Sequence, residues 1–133
     1  MNLIVCIDDR GGMLFNLRRQ SSDRYVTERI LNMAKESRLL VNGYTARLFS
    51  DSTVVCSEAL WEEAEAEDYC FVEDQDISSV VDRAEKIVIF RWNRAYPADL
   101  YFPMERLCGR KLLFAEEFPG YSHDNIRMEV YTW

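Results

Sequence analysis

With 133 residues, 48% of them hydrophobic and 13% aromatic against 5 Gly and 3 Pro, the chain is one domain long and can bury a core, which excludes disordered and low-complexity classes. A formal charge of -7 opposes non-specific nucleic-acid binding, and a single histidine, His123, excludes sites built on two or more imidazoles, so no metal site is expected. No apolar run approaches the ~20 residues of a membrane span, and the start MNLIVCIDDR has two acids where a signal peptide has its apolar stretch; a cytoplasmic protein with no membrane partner is expected.

The first apolar run, residues 3–7, is β-branched and closes on Asp8-Asp9 and the turn formers Gly11-Gly12, which predicts a buried strand. An irregular stretch then runs through Arg19. From Ser21 to Glu36, Val26, Ile30, Met33 and Ala34 fall at helical spacing, with Ser22 as N-cap and Asp23 in the first turn. A second strand is expected over 38–44, ending at Gly43, with a helical turn or two through Phe49. Residues 53–56 read as a third strand, 59–67 as a short acidic helix, 69–72 as a fourth strand, 77–82 as a further helix, and 86–92 as the next strand. This alternation predicts a mostly parallel sheet. The last forty residues differ: 110–118 and 126–133 are strand-like, the latter with period-two alternation, around the turn formers of 119–125. They predict a C-terminal antiparallel hairpin, so the fold class is α/β with a mixed sheet and flanking helices, in a single domain.

Charge divides the chain. Residues 10–50 hold eight bases against three acids, a net of +5, and residues 51–90 hold twelve acids against two bases, a net of -10. The two segments can attract one another within the fold or across a homodimer, and Arg18-Arg19, just before a helix start, offer an anion site. Cys6, Cys56, Cys70 and Cys108 show no C-x-x-C spacing and lie in or beside apolar stretches, which predicts buried thiols. Phe15, Tyr44, Trp61, Trp92 and Phe102 are expected in the core or a pocket wall. The string Ser122-His123-Asp124 offers a hydroxyl, an imidazole and a carboxylate, but adjacent residues rarely face one another as a triad must, and a turn is the better reading.

Several strings, in order, resemble the dihydrofolate reductase fold family. LIVCIDDRGGM is similar to that family's first strand and the glycine-containing loop over its active site. The helix from Asp23 and the string LLVNGYTARLF are similar to its substrate-side helix and the strand ending in a glycine that meets cofactor phosphate. AEKIVIFRWNRAYPADLYFP and MEVYTW are similar to its late strands. The resemblance implies ligand contacts at Gly11, Gly12, Gly43 and Thr45 and puts Asp23 at the place of the acid that protonates a pterin. Two departures count against NADPH as cofactor. Where the family has a glycine pair this chain has Glu73-Asp74-Gln75-Asp76, and the basic-basic-Thr string is replaced by Tyr44-Thr45-Ala46. The interval between TVVC and DYCFV is also short by one strand and one helix.

These observations favour a small-molecule cleft for an anionic or heterocyclic ligand, contacted by Gly11, Gly12, Arg18, Arg19, Gly43 and Thr45, without reductase activity and without a cofactor. One alternative is an NADPH-dependent reductase of a pterin-like substrate with Asp23 as its acid. The other is a nucleic-acid-processing or protein-interaction module using the basic segment or Arg91-Trp92-Asn93-Arg94.

Overall fold

The structure, a computed structural model, describes residues 1–50 and 53–133. Strands β1 (Asn2–Ile7), β4 (Leu39–Val41), β5 (Val55–Cys56), β6 (Tyr69–Phe71), β7 (Ile87–Arg91), β9 (Lys111–Phe118) and β10 (Ile126–Thr132) form one sheet in the order β5-β4-β6-β1-β7-β10-β9. The first five are parallel. β10 then pairs antiparallel with β7 and with β9, so the mixed sheet and the C-terminal hairpin are both present. Residue alternation decides what each face buries: Leu3, Val5 and Ile7 of β1 pack on one side with Leu40, Ile87 and Ile89, while Ile4 faces Val41, Val88 and Phe90 on the other.

Helix α1 (Arg24–Met33) covers that second face with Val26 and Ile30, one turn apart. It is shorter than the periodicity suggests, and its cap is Asp23 rather than Ser22. The Asp23 carboxylate accepts from the Tyr25 N–H at 2.9 Å, whereas a hydroxyl one residue earlier is out of place for that amide. The first face is covered by α3 (Leu60–Glu63) and a 3₁₀ turn at Val81–Arg83, where a longer helix was expected over 77–82. Helix α2 (Gly43–Ala46) is a single turn capped by Asn42. Between β5 and β6, α3 is the one regular element.

The segment read as irregular supplies two strands of a second sheet, in the order β3-β2-β8, made of β2 (Gly12–Phe15), β3 (Arg18–Arg19) and the distant β8 (Leu100–Tyr101). These strands are too short to show a period and carry no β-branched residue, so the sequence conceals them. A two-residue turn, Asn16-Leu17, joins β2 to β3 with φ of 50° and 62°, the left-handed geometry that hairpin turns need and that glycine fills best. Leu17 is 83% exposed, so its side chain gains little there. The left-handed conformation costs a branched side chain about 1–2 kcal/mol. Glycine's greater freedom in the unfolded chain offsets part of the gain from relieving that cost, so Leu17→Gly is expected to stabilise the protein by about 0.5–1 kcal/mol, measured by urea denaturation.

Three packing expectations are corrected. Cys56 and Cys108 are exposed, Cys56 on a short peripheral strand and Cys108 after a 3₁₀ turn, so apolar neighbours in sequence did not bury them. Phe15 is also exposed, at the end of the β2–β3 hairpin.

Candidate functional site

The parallel strands end on one side of the sheet, and the loops that leave them there carry Asp8, Asn42, Glu73, Asp74 and Trp92. This is where ligands bind in open α/β sheets. The β2–β3 hairpin lies against this end. Arg19 reaches from β3 to Glu73, its Nε 3.0 Å and its Nη2 3.1 Å from the two carboxylate oxygens, a fork-to-fork pair. Its guanidinium stacks on the Tyr44 ring at 4.6 Å, and its backbone N–H donates to the Tyr44 hydroxyl oxygen. Glu73 is buried and accepts a third hydrogen bond from the Thr45 hydroxyl at 2.9 Å.

Arg19 and Thr45 therefore converge, and an internal carboxylate holds both. Gly43 is close by in α2, and its N–H donates to the Glu58 carboxylate at 2.8 Å. Asn42 donates to Asp74 at 2.8 Å. Gly11 and Gly12 lie elsewhere, folded around the buried Asp8. Gly11 adopts a left-handed φ of 82°, and the Gly12 N–H donates to Asp8 at 2.8 Å. Asp8 also accepts from the N–H groups of Arg10 and Tyr96 and from the Gln20 amide. Burial pushes its pKa up, but these donors outweigh burial and hold it below the ordinary carboxylate value. Arg18 is exposed beside the hairpin turn, apart from the others.

Asp23 is enclosed, its side chain 0% exposed. Besides the Tyr25 amide it accepts from the N–H groups of Tyr121 and Ser122, the Ser122 hydroxyl and His123 Nδ1, all between 2.9 and 3.2 Å. Burial alone would raise its pKa. The backbone donors, with the imidazole, instead hold it far below the carboxylate range, so the group is a carboxylate at any physiological pH. On the far side of the imidazole, His123 Nε2 is 2.8 Å from the Ser21 hydroxyl, and the ring stacks on Trp92 at 4.8 Å. Ser21, Asp23, Cys6, Val26, Phe71 and Trp92 line a small, partly open cavity of about 10 Å³, also bounded by Glu73. That is room for about one water. Cys6 is half-buried there, and desolvation and the charge of Glu73 push its thiol well above the ordinary cysteine value.

Sequence reasoning singled out Arg19, Thr45 and Asp23 and missed Ser21, Tyr44, Glu73 and His123 as their partners. Of these, Glu73 was visible only as a replaced glycine, and His123 only as the lone imidazole. Among the described residues, no group of three or more His, Cys, Asp or Glu side chains is arranged to hold a metal ion, and no helix is long and apolar enough to cross a membrane.

No protein-family model matches the chain, and no curated protein matches it. Among solved structures it is similar to dihydrofolate reductase from Enterococcus faecalis complexed with NADP(H) and RAB-propyl. The TM-score is 0.71 at 8% identity, over 98% of this chain and 94% of that one. The chain has a dihydrofolate-reductase-like fold.

Proposed function

We propose that this chain is a non-reductase on the dihydrofolate reductase fold, one that does not bind NADPH in that fold's manner and whose cleft takes a small heterocycle. The observation that carries the reading is internal occupation of the anion-receiving groups. Glu73 holds Arg19 and Thr45, and Glu58 holds the Gly43 amide. A dinucleotide pyrophosphate would have to displace two carboxylates and then lie beside them, so the residues present do not fit the cofactor. The same charges disfavour a free anionic ligand relative to an uncharged or cationic one. Asp23 supports the reading too, because a carboxylate held by five donors has no proton to give a substrate.

The cavity holds about one water, so a heterocycle enters only by displacing lining side chains, Glu73 of the Arg19–Glu73 pair among them. Titration with NADPH followed by tryptophan fluorescence, which reports on Trp92 in the cavity wall, is expected to show no saturable change up to millimolar cofactor. Saturable NADPH binding overturns the reading and restores the reductase alternative. In a thermal-shift screen, stabilisation is expected from uncharged or cationic heterocycles such as pterins and none from simple phosphorylated metabolites.

A further inference from the structure

We propose that Ser21, His123 and Asp23 form a nucleophilic triad that accepts a short acyl group from an activated ester. This site goes beyond the non-reductase reading and does not rest on it. Ser21 Oγ lies 2.8 Å from His123 Nε2, and His123 Nδ1 lies 2.9 Å from Asp23 Oδ2, the linear relay by which a hydroxyl is activated. An ionised carboxylate can only accept, so the ring proton sits on Nδ1, and Nε2 presents its lone pair to the Ser21 hydroxyl.

The surroundings suit the roles. The side chains of His123 and Asp23 are 5% and 0% exposed, and Trp92 stacked on the imidazole fixes the ring plane. Ser21 is half-buried at the cavity edge, so the nucleophile keeps a side open to substrate. Cys6 lines the same cavity but is held as the thiol, which leaves the serine as the nucleophile. The first turn of α1 contributes Val26 and Thr27 to the cavity wall. The pocket that Ser21 lines is small and open to solvent, so the acyl chain is short and the leaving group stays on the solvent side.

The chemistry balances with water alone. Ser21 Oγ attacks the ester carbonyl carbon as its proton passes to His123 Nε2, and the carbonyl π pair moves onto oxygen. When that pair returns, the bond to the leaving oxygen breaks and Nε2 returns the proton to it, leaving acyl-Ser21 and an alcohol or phenol. A water then attacks the acyl carbon, gives its proton to Nε2, and releases a carboxylic acid with the serine hydroxyl restored. Asp23 holds the imidazole tautomer and remains ionised throughout; it is a positioning residue.

The test is covalent labelling of the whole chain with a fluorophosphonate, read by intact mass and peptide mapping, alongside p-nitrophenol release from p-nitrophenyl acetate. In the label the serine oxygen forms a bond to phosphorus, and fluoride departs as the proton moves to Nε2. One adduct on Ser21 is expected. It should be absent from Ser21→Ala and at least about 100-fold slower in His123→Gln. Circular dichroism establishes that both variants are folded, and wild type labelled in urea serves as a second control, since the triad exists only in the fold. No Ser21 adduct on folded wild type overturns the proposal, as does labelling that persists in urea or proceeds equally fast in folded His123→Gln.

Discussion

Replacing Asp23 by alanine is expected to destabilise the protein by about 3–5 kcal/mol, a large share of the 5–15 kcal/mol that holds an ordinary domain together. One carboxylate ties the start of α1 to the 119–125 loop. Its loss leaves the part-buried amides of Tyr25, Tyr121 and Ser122 and the buried imidazole of His123 without their acceptor. The helix-cap share is about 1 kcal/mol, and the remainder comes from the loop. Urea denaturation measures the difference, and a variant within 1 kcal/mol of wild type contradicts the assignment. The same residue sets a pH dependence. Its pKa is far lower in the folded state than in the unfolded chain, so its contribution is complete above the unfolded value, about 3.9, and is lost as the pH falls below it. Asp8 and Asp68, also held low, act in the same direction. Wild type is therefore expected to lose stability on acidification below about pH 4, and Asp23→Ala to lose less over the same range.

Elements long enough to show a period were legible in the sequence. The β9–β10 hairpin announces itself through alternation and a loop of turn formers, and β1, β4, β6 and β7 through apolar runs. The segregated charge was meaningful too, since Arg19–Glu73 and Arg38–Asp68 join the basic segment to the acidic one. The site was not legible, for a physical reason. Asp23 and His123 are one hundred residues apart, and the loop that unites them depends on backbone amides, which carry no side-chain signal. The string around His123 drew attention to Asp124, which is exposed, while the imidazole turns inward to an acid on another element. Asp23 was expected in the first turn, one position past its place as the N-cap, and that local reading hides its four other donors. The second sheet escaped because strands of two to four residues with no β-branched residue are specified by their partners rather than by their own residues.

Removing the Arg19 side chain is expected to cost about 2–4 kcal/mol, more than removing Glu73, and the asymmetry follows from where the two groups sit. Glu73 is 7% exposed and Arg19 25%. In Arg19→Ala the carboxylate stays buried with the Thr45 hydroxyl as its remaining side-chain donor and Asp74 as its chain neighbour. In Glu73→Gln the guanidinium keeps the face of Tyr44 and partial access to water, so a loss of about 1–2 kcal/mol is expected. The double variant should recover most of the Arg19→Ala loss, because a neutral amide no longer needs a counter-charge. Urea denaturation of the four proteins gives the coupling energy, and additive losses contradict a paired latch. Anion binding supplies an independent reading. With Glu73 neutral, Arg19 and the Thr45 hydroxyl become free to receive a phosphate oxygen, so inorganic phosphate should raise the melting temperature of Glu73→Gln and leave wild type unchanged. Equal responses would mean that Glu73 does not occupy an anion site, and the case against cofactor phosphates would then rest on Glu58 alone.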